Sequence, residues 1–335
     1  MIRDEDAQFH AADPGVPTWA ETNFFGFYNA EAKLNIGVYA LFRTNLGIVS
    51  STICMNSGFA RTPWEADFCD LRASMPIPEP RNLAEFKLDN SLSIACLNAN
   101  MDWRINYDDG AGTAIDVLYR SIMPPFDIHD PDMDPMKAKA LKAAEAGGKF
   151  AWGTAYNGHF DQTGHFHGKV NVRGKPYLID CISTMDHSWG PRPERGAPNM
   201  SWLHAHFSRD LAMHAIFSFD PVTNGGSLSL AHGYVVERGK VLGLKDGRGE
   251  TKRRERYAES INLVLINSAD REWKLVADGL TTFPWQCWPN MVSFNVLGRW
   301  RCGDLVGYGE IQDFFELPQL TALNADPATR KPVAA

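Results

Sequence analysis

The chain has 335 residues, 44% hydrophobic and 22% charged, with a formal net charge of −7; this is ordinary globular composition at a length that exceeds one hydrophobic core, so two domains are expected. No basic run extends beyond residues 252–256, which excludes nucleic acid as the main partner, because phosphate binding needs a broad basic footprint. No stretch reaches the ~18 apolar residues that span a bilayer, the polar start has no signal-peptide core, and six cysteines (54, 69, 96, 181, 287, 302) without a C-x-x-C pair read as reduced thiols of a cytoplasmic protein.

In chain order, residues 23–28 form the first apolar, aromatic run. Residues 34–42 and 47–55 follow as a hairpin, rich in β-branched and aromatic side chains and broken by a turn at 43–46. Similar short runs at 66–72, 84–88, 92–97, 103–107 and 114–119 predict an antiparallel sheet or barrel. One helix interrupts them: Asp134 suits an N-cap, Pro135 the first helical position, residues 136–146 are helix formers, and Gly147-Gly148 ends the run. Its thin, alanine-rich face predicts a lid or surface brace.

The strand pattern resumes over 158–172, turns at 173–176 and enters the most informative stretch, residues 177–192. This run ends in Asp186-His187-Ser188-Trp189-Gly190-Pro191-Arg192. Alternation sends Asp186 and Ser188 one way, His187 and Trp189 the other. Three prolines and two glycines within residues 190–198 mark a linker, placed at 190–200, between an N-terminal domain (1–189) and a C-terminal one (201–320). After it come paired strands at 202–207 and 213–219, 229–236 and 240–244, 261–266 and 273–277, and 292–300 and 305–315. The polar tail from Pro318 is expected to fray, with 321–335 flexible.

Two β-rich halves joined at Asp186-His187-Ser188-Trp189-Gly190-Pro191-Arg192, with Phe24-Phe25-Gly26-Phe27-Tyr28 early and Gly307-Tyr308-Gly309-Glu310 late, resemble the hydroxyneurosporene synthase group. That group takes in carotenoid 1,2-hydratase-like double-lipocalin proteins and, more distantly, lipocalin-like pericyclases. The resemblance implies an all-β fold of two lipocalin-like antiparallel barrels in tandem with one short helix. It also implies cofactor-free chemistry on alkenes or polyenes in a greasy pocket, with no metal. Carried over residue by residue, it implies roles for Asp186, His187 and Trp189, and more weakly for Tyr308 and Glu310.

Hydrating an alkene, or dehydrating an alcohol, needs a proton donor and a base beside a dry pocket, and an apolar surround raises a carboxyl into the donor role. Asp186 is the expected acid/base and His187 its partner, with Trp189, Trp152, Trp202, Trp285 and Trp288 as aromatic walls able to face a carbocation. The competing reading makes Asp186 a turn cap and His187 a tie to the linker. His165-x-His167 and His204-x-His206 each put two imidazoles on one strand face, a pattern that suits either a 2-His-carboxylate metal site or pocket lining; His165 and His206 are taken as pocket lining. Tyr308 and Glu310 share a strand face between glycines that let another backbone or a ligand come close.

Without a P-loop, dinucleotide fingerprint or G-x-S-x-G elbow, nucleotide, hydride-transfer and serine-hydrolase chemistry drop out. The expectation is a cofactor-independent hydratase or dehydratase acting on a small-to-medium hydrophobic alcohol or alkene, terpenoid-like or aromatic. An isomerase or cyclase and a non-enzymatic carrier of hydrophobic ligands remain as alternatives, and a homo-oligomer stays open.

Overall fold

The computed structural model describes residues 1–145, 157–192, 199–221 and 227–325. The described chain is mostly antiparallel strand and forms two units that meet along one face. In the first unit the strands are β1 (Trp19–Asn29), β2 (Leu34–Arg43), β3 (Ile48–Asn56), β4 (Phe68–Pro76), β5 (Glu85–Lys87), β6 (Ser93–Asn98), β7 (Asp102–Asp108), β8 (Ala114–Ser121), β9 (Phe126–Asp127), β10 (Gly158–Val172) and β11 (Lys175–Pro191). They pair in the order β4-β3-β2-β1-β11-β10-β8-β7-β6-β5, with β9 beside β10.

Backbone pairing therefore leaves β4 and β5 as edges, and the sheet curls without closing. Side chains close the gap instead: Asp70 of β4 accepts from Tyr107 of β7 at 3.1 Å and from Asn90 at 3.0 Å. Apolar side chains at alternate positions of these strands, Phe25, Phe27, Ile53, Trp103 and Phe166 among them, fill the interior. The N-terminal arm covers it, with Ala7 buried and Phe9 edge-on to Phe42 at 5.2 Å.

The second unit is a closed eight-stranded barrel in simple up-and-down order. Its strands are β12 (Met200–Ser208), β13 (Leu211–Ser218), β14 (Ser227–Glu237), β15 (Lys240–Arg254), β16 (Tyr257–Asn267), β17 (Glu272–Trp288), β18 (Met291–Cys302) and β19 (Leu305–Glu316). Strand β15 runs ten residues past the expected end at 244 and carries the basic run along its edge. Alternation splits that run: Lys252 and Arg254 face solvent, while Arg253 turns inward and donates to Asp313 at 2.7 Å.

Helix α1 (Pro135–Glu145) begins at Asp134, whose carboxylate accepts the Met136 amide at 3.0 Å. It packs on the second unit, where Gly243 lets the Met133 carbonyl approach to 2.3 Å from the point a Cβ would occupy. The expected fraying from Pro318 is corrected over residues 317–325: α2 (Leu317–Ala325) folds there because proline is tolerated in a first turn and Leu320 and Leu323 find cover. All six cysteines are unpaired. No helix among the described residues is long and apolar enough to cross a membrane.

Candidate active site

Strand β11 lies between β1 and β10, and its two faces look into different places. Cross-strand register sets Phe24, Asp186 and Asp161 side by side, and Thr22, Ser188 and His159 beside them. These side chains face the second unit. The next residues along, Met185, His187 and Trp189, turn into the first unit's core, as a period of two requires. Opposite Asp186, the second unit presents Trp202 on β12, Trp285 and Trp288 on β17, and Gln312 and Phe314 on β19. The hollow enclosed between the units is about 40 Å³, room for about three waters. Trp288 also walls a surface groove of about 280 Å³ on its other side, and is held by an indole hydrogen bond to the Tyr39 hydroxyl at 2.9 Å.

Asp186 and Arg192 line the hollow, and Asp161 stands beside Asp186 on the neighbouring strand. Among the described residues no hydrogen bond holds the Asp186 carboxyl, and burial pushes it up to about 7; the neighbouring Asp161 adds to the rise, while His159 and Arg192 oppose it. Arg192 is itself buried, donating to Thr22 at 3.2 Å and to Ser188, with its guanidinium 5.0 Å from the Trp288 ring. Asp161 sits at the centre of an imidazole cluster: its Oδ2 lies 3.1 Å from His159 Nε2, 3.2 Å from His214 Nε2 and 3.9 Å from His232 Nε2.

Burial alone would raise Asp161, but His214 and His159 outweigh it and hold the carboxylate well below the usual range. Burial likewise opposes charge on His159, yet Asp161 wins and raises its pKa. His204, behind His214 with Nδ1 atoms 3.0 Å apart, is pushed well down by burial. Burial also lowers His232 to about 3. The ligand atoms of Asp161, His214 and His232 all lie within 4.8 Å of one another, so this set is able to hold a metal ion.

A family model described as "Domain of unknown function (DUF7064)" matches residues 3–315, nearly the whole chain. The chain belongs to this family. No curated protein matches. Among solved structures, the DUF7064 chain is similar to an AttH-type protein of Nitrosomonas europaea, at 9% identity and a TM-score of 0.61, covering 93% of this chain and 96% of that one. It is also similar to CghA, at 10% identity and a TM-score of 0.57, covering 90% and 89%. A kievitone hydratase of Nectria haematococca superposes at a TM-score of 0.49 and 12% identity, covering 94% and 93%. At these identities the likeness is one of fold.

Within the DUF7064 protein, the residues expected at the site separate into groups. Asp186, Trp202, Trp285 and Trp288 meet around the hollow. His187 and Trp189 do not join them, being on the opposite face of β11. His187 donates from Nδ1 to the Thr22 carbonyl at 2.7 Å, and burial lowers it to about 3. Trp189 stacks on His10 at 3.9 Å. His187 as a direct partner of Asp186 is thus corrected by strand alternation.

Glu310 lies one residue from the hollow's wall, accepting from Gln312 at 2.6 Å, Asn35 at 2.7 Å and Asn295 at 3.0 Å, and burial raises it to about 7. Tyr308 packs 5.9 Å from Tyr28, away from Asp186. His206 is buried against Thr184 at 2.9 Å. His165 stands at the surface between Asp180 and Arg209, at 2.5 and 2.6 Å, so its placing in the pocket is corrected as well. Trp152 lies outside the described residues.

Sequence reasoning passed over Asp161, His159, His214, His232 and Arg192. The signal for the first two was present: His159-x-Asp161 is a same-face pair on a strand that flanks Asp186. Nothing along the chain tied it to His214 and His232, which arrive from the other unit.

Proposed function

We propose that the hollow between the units is the active site of a cofactor-independent acid/base lyase, a hydratase or dehydratase of hydrophobic alkenes or alcohols, in line with the resemblance to the hydroxyneurosporene synthase group. One observation carries the reading: Asp186 is a carboxyl with no hydrogen-bond partner among the described residues, raised to about 7, in a cavity walled by aromatic rings. A carboxyl so placed is half protonated near neutrality, where a general acid is most effective. Protonated Asp186 delivers its proton to the hydroxyl of a bound alcohol, the C–O bond breaks and water leaves. The Trp202 and Trp285 ring faces stabilise the cation, and the Asp186 carboxylate then takes a proton from the adjacent carbon, restoring itself. Hydration is the reverse.

Arg192 and His159, which oppose the rise in the Asp186 pKa, stabilise the carboxylate left once its proton has moved. A substrate larger than a few waters enters by displacing Trp288 and joining the hollow to the outer groove. With one raised carboxyl in a small aromatic hollow, internal proton shuttling by an isomerase or cyclase is the second reading. Products formed in ¹⁸O-labelled water separate the two, since only hydration incorporates solvent oxygen.

The test is Asp186→Asn against a panel of terpenoid and aromatic alcohols and alkenes, with products followed by mass spectrometry. Turnover should fall by about 100-fold or more while the thermal midpoint at neutral pH does not drop. Parallel loss of folding and activity, or ligand binding with no turnover in the unaltered protein, overturns the lyase reading. Loss of turnover on chelator treatment, restored by metal in the unaltered chain but not in His232→Gln, would reassign the site to metal-assisted chemistry at Asp161, His214 and His232.

A further inference from the structure

The inward face of β11, which the proposed chemistry does not use, carries a second polar centre. Register places Glu21 beside Trp189 and Asn23 beside His187, all directed into the first unit. The N-terminal arm brings His10 over them, its ring on Trp189 and its backbone amide donating to Glu21 Oε1 at 2.8 Å. We propose that His10 Nδ1, the Glu21 carboxylate and His187 Nε2 form a binding site for a divalent transition-metal ion.

Each ligand is oriented from behind, as ligating histidines are in metal sites. His10 Nε2 is engaged by Asp6 at 3.2 Å, leaving Nδ1 directed at Glu21 Oε2, 3.1 Å away. His187 gives its Nδ1 proton to the Thr22 carbonyl, which fixes Nε2 as the atom carrying the free lone pair. Among the described residues that Nε2 has no hydrogen-bond partner, although the residue is 1% exposed.

All three ligand atoms lie within 4.8 Å of one another. Ligand atoms around zinc at ~2.1 Å in tetrahedral geometry are about 3.4 Å apart, so a small contraction seats an ion. Asn23 is the independent sign of a missing occupant. It is fully buried on the same face, and neither its amide oxygen nor its nitrogen has a partner among the described residues. Buried amides are almost always satisfied, so an ion or its bound water beside Asn23 accounts for what the protein alone does not.

Charge agrees. Glu21 and Asp6 bring two carboxylates to the centre, and the Arg3 guanidinium, 4.0 Å from Asp6, is on an exposed side chain. Two histidines and one carboxylate with a position left open suit zinc or ferrous iron rather than calcium or magnesium, which take all-oxygen ligand sets. Since the site faces away from Asp186, it stands or falls independently of the lyase reading.

The test uses the full chain, stripped with a chelator and titrated with Zn²⁺ and with Co²⁺, whose absorption bands report nitrogen ligation. The site should take one equivalent near neutral pH, and Glu21→Gln and His187→Gln should each weaken it by about 100-fold or more. His232→Gln in the other cluster should leave this equivalent in place. Failure of the unaltered chain to bind either ion below about 100 µM, or binding that survives both interior substitutions, overturns the proposal. If an interior variant does not fold, His10→Ala decides: it lies on the arm, outside the sheet, so loss of the equivalent supports the site and retention overturns it.

Discussion

Asp186 ties the chemistry of the site to the stability of the fold. Burial raises it to about 7 from an ordinary 3.8. A carboxyl raised on folding favours the folded state most fully below its unfolded pKa, and that contribution is lost as pH climbs through the folded value. Over the window from about 4 to 7 the loss amounts to about 4 kcal/mol, at 1.36 kcal/mol per pKa unit. Asparagine keeps the shape and cannot ionise. Asp186→Asn should therefore match the unaltered protein below about pH 4 and exceed it in thermal midpoint at pH 8, as read by scanning fluorimetry across pH. An identical difference at both ends would show that Asp186 is not a buried, protonated acid. The mirrored expectation for turnover is activity falling as pH rises through about 7, because the acid form is then spent. Glu310 is also raised to about 7, but Asn35, Asn295 and Gln312 already donate to its two oxygens. It is better placed to hold the seam than to move a proton.

At the scale of elements, the Gly307-Tyr308-Gly309-Glu310 run shows how a local pattern serves barrel closure. Strand β19 must lie against β12 to shut the second unit. A Cβ on Gly309 would sit 1.9 Å from the His204 carbonyl oxygen, and one on Gly307 2.3 Å from that of His206. Neither neighbour is a flexible side-chain tip, so the strand itself would have to shift. Gly309→Ala should lower stability by about 1–3 kcal/mol, measured as a lower urea midpoint. Gly58→Ala, whose Cβ would meet nothing within 4 Å, is the control and should change little. A Gly309 variant no weaker than the control would remove the close approach as a reason for these glycines. That glycine spacing was readable from the chain, as were the β-rich character, α1 and the reversal at 173–176, because each rests on local periodicity or turn chemistry. The open sheet of the first unit was not: whether β4 meets β5 depends on curl and on contacts such as Asp70–Tyr107, which leave no local trace. Of the site, Asp186 and three tryptophans were legible. The histidines around Asp161 were not, since His159 and His214 come from different units and their association is a product of docking.

For the whole molecule, the question is whether two units mean two independent folding domains. The seam argues against independence. Hydrogen bonds cross it from Thr163 to Tyr234 at 2.9 Å, from Thr184 to His206 at 2.9 Å, and from Asn35 to Glu310 at 2.7 Å. Backbone groups join as well: Ala60 donates to the Thr282 carbonyl at 2.9 Å, and Thr282 to that of Gly58 at 3.0 Å. A shared apolar cluster sets Phe24 and Tyr39 of the first unit against Trp285 and Phe314 of the second. Separating the units would expose that cluster and leave Asp161 without His214, a buried carboxylate stripped of one of the charges that offset its burial. Each unit alone would thus present a wet polar centre and an apolar patch, and the cost of parting them falls on both at once. Calorimetry of the full chain should show one transition, with calorimetric and van 't Hoff enthalpies in agreement. Two resolved transitions would mean that the seam contributes little to either unit, and would take from the active-site proposal the rigid surround that keeps Asp186 dry.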